Sequence, residues 1–303
     1  MHDLVIVGGG PGGLTAGIYA QRAKLDTLLL EKMGIGGQIC MSDLIENYPG
    51  FKSIGGVELM KIFEEQARAL GLVIKFAEVT KVSDMGGYRE LETPDGPIQA
   101  KAVIISTGAR PRRIGVPGES DLIGRGVSFC ATCDGAFFKD REVAVIGGGD
   151  AALKEGIFLT KFASKVHLVH RREGFRAEKV TQEKAMNHPK FAFQLNKTVT
   201  EVKGDFMGVQ AIGLKDTKTG EVSELKVDGV FVFIGTTPNT DFIDVAKDER
   251  GFIKTDHLLR TSMPGVFAVG DCRSTPLRQV ATAVGDGALA AFEAERFIES
   301  HEG

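Results

Sequence analysis

The chain has 303 residues, with 37 basic and 40 acidic side chains, a formal net charge of −3 and 43% hydrophobic residues. That length holds one large or two medium domains, each with an adequate core. The near-balanced charge gives no general attraction to nucleic acid or to an anionic membrane, and no apolar run approaches the length of a transmembrane helix.

The first apolar run, Leu4-Val5-Ile6-Val7, leads into Gly8-Gly9-Gly10-Pro11-Gly12-Gly13. It reads as strand, tight turn and helix start, with a helix over about 12–23 and a second strand at Leu25–Leu30. Backbone N–H groups at such a helix start bind a pyrophosphate, which makes Gly8, Gly10, Pro11 and Gly13 candidate contacts to a dinucleotide. Glu31 and Lys32 follow the second strand. Next come Gly36-Gly37-Gln38 and the segment Glu46–Phe51, which contains Asn47. Both are polar loops with backbone donors suited to the phosphate, ribitol or ring of a flavin. A third strand, Ala102–Ser106, ends in Thr107-Gly108-Ala109-Arg110-Pro111-Arg112, where Pro111 and the charges mark the exit from a domain. The N-terminus enters its strand with no signal-peptide pattern ahead of it, so the cytoplasm is the expected compartment.

The chain has four cysteines, Cys40, Cys130, Cys133 and Cys272. Two stand alone and two form Cys130-Ala131-Thr132-Cys133. A structural zinc would need a second close pair or a nearby pair of histidines, and neither is present, so no metal is expected. A CxxC beside a βα unit favours a redox dithiol. Asp134 directly follows it. Reducing a disulfide releases thiolates, and an adjacent carboxylic acid suits the proton transfer. The lone Cys40 and Cys272 read as inert core thiols, and Phe137-Phe138 as core packing.

A second unit repeats the first. Val143-Ala144-Val145-Ile146 leads into Gly147-Gly148-Gly149-Asp150-Ala151-Ala152, followed by a helix around 150–162 and a strand Val166–Val169. Gly147, Gly149, Asp150 and Ala151 are the matching pyrophosphate candidates. A later strand, Gly229–Ile234, stops at Gly235, another candidate contact. One position separates the two units. Glu31 lies 23 residues after Gly8, and His170 lies 23 after Gly147. An acid in this slot accepts hydrogen bonds from an adenosine ribose diol and repels a 2′-phosphate. His170-Arg171-Arg172, with Arg176 beyond, suits a dianionic phosphate instead. The first site is therefore expected to take FAD or NAD, and the second NADP. The last part of the chain holds the strand Gly265–Val269, then Gly270-Asp271, where a carboxylate is placed for a ribitol hydroxyl. Arg278-Gln279-Val280 open a final helix from about 280, whose positive end suits an electron-rich flavin edge. One reading has the second unit inserted into the first, with the C-terminal segment returning to complete the first domain.

Taken together, the chain resembles the low-molecular-weight bacterial thioredoxin reductases, flavoprotein disulfide reductases. The resemblance runs over nearly the whole length. It is carried by the first glycine motif, GGQ at 36–38, ENYPGF at 46–51, CATCDG at 130–135, GGGD at 147–150, HRREGFRAEK at 170–179, GTTPNT at 235–240, GVFAVGDC at 265–272 and RQVATAVGDGALAA at 278–291. It implies an α/β protein of two Rossmann-like domains, an FAD domain over 1–113 and 244–303 and an inserted NADPH domain over 114–243 that carries the CxxC. It implies a homodimer. It also implies an electron path from NADPH through FAD to the Cys130–Cys133 disulfide and then to thioredoxin. In that scheme Cys133 faces the flavin, Cys130 exchanges with thioredoxin, Asp134 gives the proton, and two domain orientations alternate. The sequence departs from the family at Ala151, where a small hydroxyl residue is usual, and at Lys154, where an acid is usual. Competing readings are a flavin reductase serving another thioredoxin-like or peroxiredoxin partner, and a flavin-based redox sensor.

Overall fold

The computed structural model describes residues 1–42 and 45–301. The α-helices are, in chain order, α1 Pro11–Arg22, α2 Gly56–Ala69, α3 Ala131–Asp134, α4 Asp150–Leu159, α5 Lys179–Met186 and α6 Val280–Glu299. The chain divides into two compact units, 1–110 with 237–303, and 111–236. The crossings fall a few residues before positions 113 and 243 expected from the sequence. Ile243, with Phe242 packed beside it, explains the second offset, because it is buried in the core of the first unit.

In the first unit a parallel sheet runs Val73–Phe76, Thr27–Glu31, His2–Val7, Ile98–Ile105. The long strand Ile98–Ile105 divides its second edge. Its first half pairs antiparallel with Arg89–Glu92, and its second half pairs parallel with Val266–Ala268. The central strands carry apolar side chains on both faces, as strands covered on both sides must. Leu4, Ile6, Leu29 and Ile104 pack under the helices, while Val5, Val7, Leu30, Val103 and Ile105 fill the opposite core. Helix α2 shows the helical period plainly, with Leu59, Met60, Phe63 and Ala67 buried and Lys61, Glu65 and Glu64 on the outer side. Burial of the three large side chains stabilises the unit by about 1.5–3 kcal/mol each.

The second unit has a five-stranded parallel sheet in the order Phe191–Leu195, Lys165–His170, Glu142–Ile146, Gly229–Val232, Val127–Ser128. Helices α4 and α5 carry the Leu153, Leu159 and Ala185 side of its core. A three-stranded antiparallel sheet, Lys197–Asp205, Gly208–Asp216 and Val222–Lys226, covers the other side through Val199, Val202, Ile212 and Leu214. The expected α/β class with Rossmann-like units, one interrupting the other in sequence, is therefore the class found. Helix α4 ends at Leu159 rather than near 162, because Thr160 closes the turn with its hydroxyl on the Ile157 carbonyl. No described helix is long and apolar enough to cross a membrane.

Candidate functional site

The first glycine turn is built by close approach. Gly8 has φ +107°, and a Cβ there would lie 2.4 Å from the Ser106 carbonyl oxygen. A Cβ on Gly13 would lie 1.9 Å from the Gly8 carbonyl oxygen. Strand end, turn and helix start thus touch backbone to backbone, which only glycine permits. Helix α1 has Gly10 at its N-cap, Pro11 at its first position and no side-chain cap, and a Cβ on Gly10 would meet nothing within 4 Å. The amides of Gly12 and Gly13 at the helix start are left for a ligand. Gly13→Ala is expected to push this turn apart and cost about 1–3 kcal/mol. A thermal melt of the cofactor-stripped protein checks it, and an unchanged midpoint would show that the turn has slack.

Glu31 ends its strand one register step beyond the Val7–Leu30 pair. Its carboxylate accepts from Gly9 N–H at 2.7 Å and from Met33 N–H at 2.9 Å. It therefore shapes the turn as well as presenting an acid beside it. Lys32 turns outward and pairs with Glu78 at 2.5 Å. Gly36 (φ +114°) donates to the Gly9 carbonyl and starts the 3-10 turn Gly37–Met41, on which Gln38 is exposed. Asn47 donates to the Gln279 side chain at 3.0 Å. Gln279 is the N-cap of α6 in a capping box with Thr282, and Val280 is its first residue. Asp271 sits in the turn after Val266–Ala268, largely buried. Burial pushes its carboxyl above the ordinary carboxylate range, against the pull of the Arg278 guanidinium. Arg278 donates to the Asp271 and Arg273 carbonyls and lies 4.1 Å from the Phe252 ring centre. The first unit thus gathers the glycine turn, Gly36, Asn47, Gln279 and the Asp271–Arg278 pair, and leaves Lys32 on the surface.

The second turn is laid out alike. Gly147 has φ +154° and donates to the Val169 carbonyl, and Gly149 caps α4 with no side-chain bond and open space beside it. His170 stands one register step beyond the Ile146–Val169 pair, as Glu31 does in the first unit. Its use differs. The ring is buried beneath Gly148, where a Cβ would lie 2.2 Å from it, and it bonds the Gly174 carbonyl at 3.2 Å. Burial lowers its pKa, the Gly174 bond opposes this, and the charges of Arg171, Arg176 and Arg172 lower it further. A neutral ring supports the turn. Arg171, Arg172 and Arg176 are exposed, and among the described residues their guanidinium groups make no hydrogen bond to another side chain or carbonyl. The Arg176 amide donates to the Gly148 carbonyl at 2.8 Å, which fixes that arginine beside the turn. Asp150 accepts from the Glu178 amide at 3.0 Å, Lys154 lies 3.8 Å from Asp150 and 3.6 Å from Glu178, and Ala151 is exposed. Gly235 (φ +125°) receives the Arg112 amide at its carbonyl.

Between the turns in sequence, Cys130 and Cys133 form a disulfide with Cα atoms 5.3 Å apart. Cys130 is the N-cap of α3, and its Sγ accepts from the Cys133 N–H at 3.2 Å. A disulfide at the head of a strand-linked helical turn, in a chain with two glycine turns of dinucleotide type, is a chemical signature of disulfide reduction. A family model described as pyridine nucleotide-disulphide oxidoreductase matches residues 2–287. The chain belongs to the pyridine nucleotide-disulphide oxidoreductase family.

Similarity within that family runs over full lengths. The chain is 44% identical to a thioredoxin reductase of Bacillus subtilis, over 99% of this chain and 95% of the relative. It is 45% identical to a thioredoxin reductase of Treponema pallidum, over 99% and 98%. Among solved structures, a thioredoxin reductase of Streptococcus pyogenes superposes with a TM-score of 0.95 at 42% identity, covering 99% of both chains.

Within the second unit of this oxidoreductase, Ser128 and Asp134 lie beside the disulfide. The buried Ser128 hydroxyl reaches the Asp134 carboxylate at 2.5 Å and receives the Cys130 amide at 3.1 Å. Sequence reasoning missed Ser128, since a serine two positions before a cysteine matches no pattern. It also missed Asp286, which accepts from the Gly270 amide at 2.9 Å and holds Arg273 in a two-point fork at 2.7 and 3.0 Å. A partly buried carboxylate with three donors could have been suspected only from the glycine-flanked acid within α6. Phe138 packs edge-on against Phe231 in the core, whereas Phe137 beside it is exposed, so the pair divides between core and surface. Cys272 is buried with its thiol pushed up to about 11 by burial, and Cys40 is raised likewise, which suits packing rather than chemistry.

Proposed function

We propose that this chain is an NADPH-dependent thioredoxin-disulfide reductase that holds FAD in its first unit and NADPH in its second. The observation that carries the reading is the Cys130–Cys133 disulfide in the same unit as a glycine turn flanked by three unengaged arginines. Full-length identity to proteins named thioredoxin reductase supports the choice of partner. The fit to two dinucleotides rests on the uncapped starts of α1 and α4, each with a glycine N-cap beside open space. The residues assigned to FAD are Gly8, Gly10, Pro11, Gly13, Glu31, Gly36, Gly37, Gln38, Asn47, Asp271, Arg278, Gln279 and Val280. Lys32 is kept as a peripheral contact because its ammonium is engaged with Glu78. Those assigned to NADPH are Gly147, Gly149, Asp150, Ala151, Arg171, Arg172, Arg176 and Gly235, with His170 acting from beneath the turn. A homodimer and a cytoplasmic setting belong to the same reading.

FAD supplies a two-electron carrier between nicotinamide and disulfide. The chain's own contributions are positional. The helix starts present amides to pyrophosphate, Glu31 holds the first turn and offers an acid to a ribose, and the arginines select a 2′-phosphate. Cys133 N–H favours negative charge on Cys130 Sγ, so Cys130 is the sulfur set up to exchange with an outside disulfide. Asp134 takes and returns the proton. The test is direct. Purified protein should be yellow, release FAD on heating, and oxidise NADPH steadily only when oxidised thioredoxin is added. A colourless protein that takes up no FAD overturns the reading, and a yellow one with no thioredoxin turnover overturns the partner.

Asp271 carries a pH prediction. Its folded pKa is raised by burial, so the fold holds this proton more tightly than the unfolded chain does. The stability it contributes is complete below the ordinary carboxylate range and is lost as pH rises through the raised value. Asp271→Asn is expected to remove that loss. The flavin-stripped variant should melt above the wild type near neutral pH and level with it in acid, while retaining FAD less tightly. Equal melting at both pH values with unchanged FAD retention would show that Asp271 does neither.

A further inference from the structure

The Ser128 hydroxyl has more partners than it has protons. It is buried, accepts from the Cys130 amide at 3.1 Å, and has two acceptors within reach of its single hydrogen, Asp134 Oδ2 at 2.5 Å and the Cys130 carbonyl at 3.3 Å. Only one can receive that hydrogen at a time. We propose that Ser128 is a positioning residue whose hydroxyl turns between these acceptors as Asp134 gains and loses its proton, so that the Ser128–Asp134 bond is kept in both states. When Asp134 is ionised, Ser128 donates to it. When Asp134 is protonated, the carboxylic acid donates to Ser128, and Ser128 donates to the Cys130 carbonyl. The Cys130 amide donates to Ser128 in both.

This deepens the thioredoxin-reductase reading and rests on it for the direction of exchange. In the exchange itself, the Cys130 thiolate attacks the partner's disulfide, forming a mixed disulfide and expelling one partner thiolate. Cys133 then gives its thiol proton to the Asp134 carboxylate and attacks Cys130 Sγ. The Cys130–Cys133 bond forms, the second partner thiolate leaves, and Asp134 hands its proton to a departing thiolate. The partner gains two electrons and the dithiol loses two. Asp134 is charged before this step and neutral during it, which is the alternation that a hydroxyl with two acceptors accommodates without breaking the Ser128–Asp134 bond.

The pH dependence belongs to a defined neighbourhood. Cys130 and Cys133 share the segment with Asp134. Helix α4, packed against α3, carries Asp150, Lys154 and Glu155, while the 3-10 turn Gly135–Phe138 and the strand Gly229–Val232 bring no ionisable side chain. Asp150 and Lys154 are engaged with each other and with Glu178. Burial raises the pKa of Glu155. An Asp134→Asn background therefore separates the Asp134 limb from any other.

The experiment reduces the holoprotein anaerobically and follows two readouts against pH. One is alkylation of Cys130 and Cys133 by iodoacetamide, which needs no thioredoxin. The other is single-turnover reoxidation by oxidised thioredoxin. Removing the Ser128 bond takes one donor from the ionised form of Asp134, so Ser128→Ala should move the limb assigned to Asp134 upward, by about one unit, in both readouts. Ser128→Thr, which keeps the hydroxyl, should restore the wild-type profile. In Asp134→Asn, adding Ser128→Ala should leave the profile where it was. Should Ser128→Ala not accumulate as folded protein, Ser128→Gly carries the same comparison. A uniform loss of rate with no shift of the limb, or equal effects of Ser128→Ala with and without Asp134, would overturn the proposal and leave Ser128 as a packing residue. Wild-type protein that alkylates with a normal profile but ignores thioredoxin would instead fault the choice of partner.

Discussion

Replacing Cys130 or Cys133 with serine is expected to abolish thioredoxin reduction, by more than about a thousandfold, and to leave reduction of bound FAD by NADPH intact. A serine hydroxyl forms no disulfide and is a poor nucleophile at neutral pH, so neither single variant can close the Cys130–Cys133 bond. Flavin reduction precedes that bond in the proposed order and needs neither sulfur. The two variants should differ from each other. The Cys133 amide donates to Cys130 Sγ at 3.2 Å, which favours the thiolate on Cys130. Cys133→Ser should therefore trap thioredoxin as a stable mixed disulfide, since no second thiol remains to release it. Cys130→Ser should trap far less. The measurements are NADPH bleaching of the flavin absorbance, steady-state thioredoxin turnover, and a non-reducing gel. Turnover near the wild-type rate in either variant would remove the CxxC from the pathway. Trapping by Cys130→Ser instead would exchange the roles of the two sulfurs.

Coenzyme choice carries the second large effect. Arg171→Ala/Arg172→Ala should lower kcat/KM for NADPH by about a hundredfold or more and leave the value for NADH nearly unchanged. Each charge-assisted bond to the 2′-phosphate is worth about 1.5–3 kcal/mol, and two of them exceed a hundredfold in rate even at the low end. Solvent exposure of these arginines keeps the expectation at that low end, and added salt should shrink it further. Their guanidinium groups hold nothing together in the structure, so the melting temperature of the double variant should match the wild type. A preference for NADPH that survives the double change would place phosphate recognition elsewhere. A wild type that uses both coenzymes equally would refute the assignment.

Much of the fold was legible because the defining signals are local. A strand that ends in Gly8 or Gly147 and turns at once into a helix needs glycine for backbone contact, and that requirement is visible in sequence. Counting from those glycines also found equivalent strand ends at Glu31 and His170, and the sheet registers agree. What each does there was not legible. His170 supports Gly148 from below because it is buried, and burial depends on the opposite layer. Asp286 was missed for the same reason, since its donors Gly270 and Arg273 meet it only after folding, and Ser128 because a serine two positions before a cysteine matches no pattern. The antiparallel sheet over residues 197–226 was unread because its pairing is irregular. Register shifts between Val199 and Glu201 and between Lys203 and Gly204 break the alternation that marks a strand.

The division of the first unit between the two ends of the chain bears on how the protein comes into being. Leu4, Ile6, Leu14 and Leu29 share one core with Ala290, Ala294 and Ile298 of α6, a helix synthesised only from Val280 onward, long after that first strand and turn. The second unit is a single stretch ending at residue 236 and can finish while the first still waits. During synthesis the opening hundred residues therefore hold an apolar face that α6 does not cover until it emerges. Growing chains, rather than finished molecules, are the population that chaperones must protect, and truncations near the C-terminus should leave a folded second unit attached to an aggregating first.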